Sequence, residues 1–192
     1  MLVNGIHYKT VWLEGTAVKM IDQPRIPHEF SIYSCADHRE TARAISTMVI
    51  RGAGAIGAAA GYGMAQAALE APGKGFAAYI AAAMERIKNT RPTAQNLFYA
   101  VDRVYRAIKS TGILEDSLME IEKKDTIVAK VRECAVAEAE AIAAEDAAAC
   151  KTIGELGADL IKDRYRILTH CNAGWLAFVD WGSAISPIYA AK

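Results

Sequence analysis

The sequence RGAGAIGAAAGYGMAQAALEAPG, residues 51–73, joins a glycine-rich beginning to a long alanine-rich continuation and ends with a proline and a glycine. The three glycines within residues 51–57 are expected to end any helix that precedes them, because glycine is a poor helix former. The alanines that follow predict a helix over 58–70, which ends before the Pro-Gly pair. Alanine remains abundant from Ala42 to Ala149, and this composition predicts closely packed helices.

Helical patterns are predicted on both sides of this stretch. On the N-terminal side, Asp37 and Glu40 have the spacing of a capping box, and the apolar residues after them predict a helix that ends near Arg51. Further helices are predicted over 75–88, over 92–109 with Pro92 in the first turn and Thr90 as a candidate cap, over 115–148, and over 153–161.

The two ends of the sequence differ from this helical part. The first 35 residues contain TVWLEG, TAVKMID and EFSIYSC, three segments rich in β-branched and aromatic residues, which predict a small antiparallel sheet. Near the other end, 167–169 predict a buried strand, 171–174 a tight turn, and Trp175 to about Ile185 a helix that Pro187 ends. Because a parallel strand needs neighbours on both sides, residues 164–192 are expected to begin an α/β domain that is incomplete here.

Length and composition favour one globular domain together with the beginning of a second. At about 150 residues per domain, 192 residues correspond to about one and a third domains, and 53% of them are hydrophobic. Twenty-two Lys and Arg balance twenty-two Asp and Glu, which excludes a broadly basic nucleic-acid-binding protein. The uncharged run 52–69 is too weakly apolar for a membrane span, and the N-terminus lacks the pattern of a signal peptide, so we expect a cytoplasmic protein without a membrane partner.

The four cysteines are Cys35, Cys134, Cys150 and Cys171. They form no CxxC pair and no Cys/His cluster with zinc spacing, so no metal site is predicted. Disulfides are not expected in a reducing cytosol, so each cysteine is either a buried apolar side chain or a reactive thiol.

The sequence THCNAG, residues 169–174, is the sharpest local signal for chemistry. If the strand and helix lie where the pattern predicts them, Cys171 lies at the end of a strand and at the N-terminus of a helix, where ligands bind in open α/β sheets. The free N–H groups and partial positive charge of that terminus stabilise a thiolate or bind a phosphate. The alternative is a buried structural cysteine.

Two further segments place an arginine just before a helix. In residues 51–57 the glycines allow a ligand to approach the backbone, and Arg51 can clamp a phosphate with two hydrogen bonds. In NTRPTA, residues 89–94, Arg91 precedes a second helix. The alternatives are a tight helix–helix turn in the first case and a solvated arginine beside a capped helix in the second. Together with Cys171, these segments favour a site for a phosphorylated small molecule.

Four motifs occur along the chain: IDQPRIP at 21–27, MVIRGAGAIG at 48–57, TRPTAQNL at 90–97 and THCNAG at 169–174. In this order they resemble the family of 5-methylthioribose-1-phosphate isomerase. The family also includes ribose-1,5-bisphosphate isomerase and the regulatory subunits of the guanine-nucleotide exchange factor of eukaryotic translation initiation. The resemblance covers essentially all 192 residues and is strongest for the isomerase branch.

The resemblance implies an N-terminal sheet-plus-helical domain over 1–127, connecting helices over 128–163, and the first strand and helix of a Rossmann-like domain over 164–192. It implies an aldose–ketose isomerase of methionine salvage that is cytoplasmic, homodimeric and independent of metal or nucleotide cofactors. The alternatives within the family are the bisphosphate isomerase and a non-catalytic regulatory subunit.

The resemblance also implies the site residues. Cys171 matches the family's catalytic cysteine, and the positions that hold the phosphate and the sugar correspond to Arg51, Gly52, Ala53 and Arg91.

Two departures from the family pattern affect these expectations. Where the family usually has a proline, this sequence has Gly54, which gives the loop more conformational freedom but is not expected to abolish phosphate binding. The family's catalytic Asp and an Asn-Lys pair belong to a second half that this sequence lacks. We therefore expect a truncated, cleaved or split polypeptide whose partner is the missing C-terminal half.

Overall fold

The computed structural model describes the backbone of residues 1–113 and 121–191, and the side chains within these ranges apart from those of 121–126. The strands are β1 (Leu2–Val3), β2 (Ile6–His7), β3 (Val11–Glu14), β4 (Ala17–Ile21) and β5 (Ile32–Cys35). The α-helices are α1 (His38–Ser46), α2 (Ala53–Glu70), α3 (Phe76–Lys88), α4 (Gln95–Lys109), α5 (Ile121–Ala158) and α6 (Ser186–Ala190).

The predicted antiparallel sheet at the N-terminus is confirmed. Its strand order is β3-β4-β5, with Val11 opposite Met20 and Val18 opposite Cys35. These four side chains are buried and form the face of the sheet that packs on the helices. A separate hairpin pairs β1 with β2. Its turn is Asn4-Gly5, in which both residues have positive φ, the usual chemistry of a two-residue hairpin.

Helix α2 lies at the centre of the molecule and contacts α1, α3, α4 and α5 as well as the sheet. Nearly all of its residues are buried, so it lacks the polar face of a surface helix. Its small residues permit this packing: a Cβ atom added at Gly63 would lie 3.2 Å from Ile87 and 3.3 Å from Thr41. The core therefore forms around α2, as the alanine-rich stretch predicts.

One buried side chain, Gln66 of α2, joins three elements. Its Nε2 donates to the carbonyl oxygens of Thr16 and Cys35, at 2.9 Å each, and its Oε1 accepts a 2.6 Å hydrogen bond from the hydroxyl of Thr41. Gln66 is fully buried, and each of these bonds replaces one that the amide would otherwise make with water. The amide thus fixes α2 relative to both the sheet and α1.

The first helix begins where predicted and ends earlier than predicted. The Asp37 carboxylate accepts hydrogen bonds from the amides of Arg39 and Glu40, which confirms the N-cap. Helix α1 ends at Ser46, five residues before the predicted end near Arg51. The amide of Val49 bonds to Ala44 O while Met48 adopts a φ of +61°, which is a Schellman ending with methionine where glycine is usual.

The later helices also differ from their predicted bounds. Helix α4 begins at Gln95, and the Thr90 hydroxyl donates to Ile87 O at the end of α3 rather than capping α4. The two helices predicted over 115–148 and 153–161 form one helix, α5, and residues 114–120 lie outside the described residues. Helix α5 is thus continuous through residues 149–152, and near its end Gly154 packs closely against Ser186, the first residue of α6.

The prediction for the C-terminal part is wrong in its local structure. No strand forms over 167–169 in the described chain, and Leu168 is 97% exposed. A strand needs a neighbour for its backbone hydrogen bonds, and no other described segment pairs with this one. Instead of a helix over 175–185 there is a 3₁₀ turn, Trp175–Ala177, and Pro187 lies in the first turn of α6 rather than ending a helix. The three-domain division by residue number stays a prediction.

No helix in the described part of the chain is long and apolar enough to cross a membrane.

Replacing Gln66 by alanine should lower the free energy of unfolding by about 3 kcal/mol, because the substitution removes the buried partner of the Cys35 carbonyl and of the Thr41 hydroxyl and opens a cavity. Urea unfolding followed by circular dichroism would measure the change. Gln95→Ala is the matched control, since Gln95 is exposed and should change stability by no more than about 0.5 kcal/mol. Equal effects of the two substitutions would contradict the role given to the buried amide.

Candidate functional site

The turn before α2 has a conformation and a packing that require glycine at position 52. Gly52 has a φ of +104°, a backbone conformation that residues with a side chain rarely adopt. A Cβ atom there would lie 2.2 Å from the Cα atom of Ala177. The 3₁₀ turn Trp175–Ala177 therefore packs directly on the backbone of Gly52, beside Arg51.

The side chain of Gln23 joins these two turns. Its Nε2 donates to Leu176 O at 2.7 Å and, more weakly, to Arg51 O at 3.4 Å. Gln23 is buried, although the sequence places it in a turn that shows no obvious chemistry by itself. The signal that points to it is the IDQPRIP motif as a whole, since no property of glutamine alone marks the position.

Helices α2 and α4 begin next to each other. A Cβ atom at Gly57, near the start of α2, would lie 3.1 Å from the Cβ atom of Asn96, the second residue of α4. Neither helix has a side-chain cap on its first amides. The free N–H groups and partial positive charges of two helices are thus combined in one place, which favours an anion.

The two predicted arginines precede these two helix starts. Arg51 is exposed and directly precedes Gly52, the N-cap of α2. Arg91 lies in the turn before α4 and is half-buried, and its Nη1 has no hydrogen-bond partner among the described residues. A guanidinium remains charged in proteins, so a buried N–H without an acceptor is costly unless an anion binds it.

A cavity of about 400 Å³ opens beside Arg51. Met48 contributes to its wall in the left-handed conformation and remains half exposed. The Thr47 hydroxyl donates to Arg43 O at 2.8 Å, so this polar group is already satisfied. The residues that line the cavity are Gln23, Pro24, Ile26, Thr47, Met48 and Arg51.

Asp146 of α5 lies against the first turn of α2. A Cβ atom at Gly54 would lie 2.3 Å from its Oδ1 and 2.6 Å from the ring of Phe178. Its Oδ2 accepts a 2.7 Å hydrogen bond from the amide of Val179, while burial raises the pKa of the carboxyl group. The sequence gives no indication of this contact, because Asp146 lies within a long helix of mixed composition.

Cys171 lies on the segment that leads into the 3₁₀ turn Trp175–Ala177. It is exposed, with a φ of +65°, and the helix expected after it does not form. Cys171 precedes Ala177 by six positions, so at no more than about 3.6 Å per residue it lies within about 22 Å of the Gly52 contact. The structure thus brings the first turns of α2 and α4 together, and these helices follow Arg51 and Arg91 in the chain. The Ala177–Gly52 contact connects the segment of Cys171 to the start of α2.

Among residues 1–113 and 121–191, no group of three His, Cys, Asp or Glu side chains could hold a metal ion.

Comparison with known proteins identifies a family and several relatives of this chain. Residues 49–192 match the Initiation factor 2 subunit family. A protein of Methylocella silvestris named methylthioribose-1-phosphate isomerase is 42% identical over 202 aligned positions, which cover all of this chain and 50% of that protein. A second with the same name, from Methylobacterium nodulans, is 43% identical over 199 positions, again 50% of its length.

Two solved structures have folds similar to that of this chain. The 5-methylthioribose 1-phosphate isomerase of Pyrococcus horikoshii OT3 has a TM-score of 0.81 and 36% identity, over 96% of this chain and 50% of that one. The delta subunit of translation initiation factor eIF-2B from A. fulgidus has a TM-score of 0.80 and 34% identity, over 96% and 51%. The chain spans about half the length of the relatives it matches.

Iodoacetamide should alkylate Cys171 in the native protein well before Cys35 and Cys150. Cys171 is exposed, whereas burial raises the pKa of Cys35 to about 11 and that of Cys150 to about 12, so both stay neutral thiols at about pH 8. Peptide mass spectrometry after timed labelling measures each rate, with denatured protein as the control in which the rates should converge. Native labelling of Cys35 as fast as Cys171 would show the prediction to be wrong.

Proposed function

We propose that this chain, which belongs to the Initiation factor 2 subunit family, contributes to an aldose–ketose isomerase for 5-methylthioribose 1-phosphate. Its contribution would be the phosphate site and the thiol. In the net reaction the ring C1–O bond breaks, the hydrogen on C2 moves to C1, and the C2 hydroxyl becomes a carbonyl. The hydroxyl proton ends on the former ring oxygen, so nothing is oxidised or reduced overall.

The adjacent beginnings of α2 and α4 are the observation that carries this proposal. A phosphate on C1 would accept hydrogen bonds from the free amides after Gly52 and after Ala94, with Arg51 and Arg91 supplying the charge. Gly52 has no side chain and Ala53 has only a methyl group, so neither is bulky enough to keep a phosphate away from these amides. The buried, unpartnered Nη1 of Arg91 supports the same location.

The cavity beside Arg51 offers the other end of the sugar a wall of mixed polarity with one charged side chain. Pro24, Ile26 and Met48 supply apolar walls, and among the described residues that line the cavity only Arg51 is charged. A second phosphate would need a second cation, and Arg25 is already paired with Glu29 at 2.8 Å. The methylthio sugar therefore fits this cavity better than ribose 1,5-bisphosphate does.

Cys171 would serve as the acid or base that moves a proton during the isomerisation. Its exposure and its left-handed backbone keep the thiol accessible, which suits a group that must meet a substrate. Burial excludes Cys35 and Cys150 from this role, since their thiols do not reach solvent. We propose that a partner covers the segment that contains Cys171.

Exposed apolar side chains that precede Cys171 in the sequence favour such a partner. Leu156 and Leu160 are 75% and 76% exposed, and Leu168 is almost fully exposed. We propose that the covering chain is the other half of the relatives' length, which would add the catalytic carboxylate, within a cytoplasmic homodimer. Hydrophobic side chains exposed to this extent are typical of interaction surfaces.

A second candidate is a non-catalytic regulatory subunit. The similarity to the A. fulgidus delta subunit, with a TM-score of 0.80, favours it. A regulatory subunit has no need of Cys171, so loss of a measurable function on replacement of this thiol distinguishes the two candidates.

Replacing either Arg51 or Arg91 by alanine should weaken the binding of 5-methylthioribose 1-phosphate at least tenfold, because each removes a charge-assisted bond worth about 1.5–3 kcal/mol. Isothermal titration calorimetry with the full chain measures the dissociation constants, and Arg106→Ala is the matched control, since Arg106 is an exposed arginine at the other end of α4. Equal affinity of the Arg51→Ala and Arg106→Ala proteins would contradict the phosphate site.

Cys171→Ser should abolish conversion of 5-methylthioribose 1-phosphate to the ketose while leaving its affinity within about twofold, because serine is too weak an acid to replace the thiol. Carbon-13 NMR of the C2 carbon follows the reaction, and Cys134→Ser is the control. Turnover that survives in Cys171→Ser contradicts the role of the thiol. The assay uses the chain together with the covering half, which would add the catalytic carboxylate. Binding without turnover by the wild type in that assembly contradicts the isomerase and favours the regulatory candidate.

A further inference from the structure

The residue that faces Gly54 is an acid from a distant part of the chain. Position 54 lies in the first turn of α2, and Oδ1 of Asp146 occupies the place into which any Cβ atom at this position would project, at 2.3 Å. Cβ atoms in proteins essentially never approach so closely, so Gly54 and the Asp146 carboxylate occupy complementary space. Replacement of one therefore changes what the other position can accept.

The same carboxylate bonds to the segment that packs on the α2 turn. Its Oδ2 accepts from the amide of Val179, whose carbonyl in turn accepts from the amide of Thr10 at 2.8 Å. Just before Val179 in the chain, Leu176 O accepts a hydrogen bond from Gln23, and Ala177 packs on Gly52. Residues 176–179, here called the clamp segment, are thus attached at each end, and Asp146 is the charged group among the attachments.

We propose that Asp146 is a positioning residue for the phosphate site, because it holds the clamp segment on the turn that contains Arg51 and Gly52. The proposal rests on the proposed function, since the site it positions is the one assigned there. Without the carboxylate, the clamp segment keeps its contacts with Gln23 and Thr10 but loses its attachment to α5. The Arg51 turn, which Gly52 joins to that segment, then becomes less ordered and binds a phosphate less well.

The direction in which phosphate affinity changes when Asp146 is replaced distinguishes a positioning role from a purely electrostatic one. Asp146 carries a negative charge beside the start of α2, so its removal should by charge alone strengthen anion binding. Positioning predicts the opposite, a weaker site. The acidic neighbours facing this region are Glu145, which is bound to Arg103, and Asp180, which is bound to His7 at 2.6 Å, and the Cys150 thiol also lies close by.

The test compares Asp146→Ala, Asp146→Asn and Glu145→Ala in the full chain. Asparagine removes the charge but retains an oxygen that can accept the Val179 amide, and Glu145→Ala removes a neighbouring charge without touching the clamp segment. Hydrogen exchange of the 176–179 peptide reports the attachment, and titration with inorganic phosphate reports the site. Thermal unfolding of each variant verifies that it is folded.

Asp146→Ala should increase hydrogen exchange in the clamp segment about tenfold and weaken phosphate binding by a similar factor, since one buried hydrogen bond corresponds to about 1.4 kcal/mol. Asp146→Asn and Glu145→Ala should both retain slow exchange and bind phosphate as well as the wild type or better. Unchanged exchange in Asp146→Ala, or tighter phosphate binding by it, overturns the proposal. If the wild type binds no phosphate, the phosphate site itself is refuted, and the exchange measurement alone decides whether Asp146 holds the segment.

A second pair of variants tests the shared space directly. Gly54→Ala should increase exchange in the clamp segment, because its methyl group collides with the carboxylate and with Phe178. Combining Gly54→Ala with Asp146→Ala should raise exchange in the clamp segment by less than the two single effects together, since the collision with the carboxylate is gone. Gly61→Ala is the control within the same helix, because its nearest neighbour there is 3.5 Å away. Strict additivity of the Gly54 and Asp146 changes would show that the two positions do not share this space.

Discussion

The packing of the molecule is organised by the close approach of other elements to α2. Because the helix consists mainly of alanine and glycine, α1, α3, α4, α5 and the sheet can all pack against it. Such a helix makes few large apolar contacts of its own, so its orientation depends on specific bonds. The Gln66 amide supplies three of them, buried bonds to Thr41 and Cys35 and a partly buried one to Thr16.

The candidate site follows from the same close packing. Small residues at the start of α2 allow Ala177 to rest on Gly52, Asp146 to rest on Gly54, and α4 to begin beside Gly57. Each of these contacts brings a different part of the chain to one helix terminus. The anion site proposed here is therefore formed by packing between backbones, and its arginines are placed by turns that the packing fixes in position.

The region after α5 contains one segment without a partner in the described chain and one segment that is well attached. Its predicted strand has the apolar residues of a buried strand but no partner in the described chain, and Leu168 is exposed instead. The clamp segment that follows it is ordered, since Gln23, Thr10 and Asp146 each bind its backbone. Cys171 lies between an unpaired segment and a well-attached one, which explains why its placement differs most from the sequence prediction.

Elements whose signals are local could be predicted from the sequence: the three-stranded sheet, the Asp37 cap, the presence of four of the helices, and the two arginines that precede helix starts. These depend on propensity, periodicity and capping, which act over a few residues. The end of α1, the role of Gln23 and the pairing of Asp146 with Gly54 became apparent in the folded molecule alone. Each of these depends on a residue far away in the chain, because backbone close approach and burial of a carboxylate are properties of the packed molecule and leave no periodic trace in the sequence.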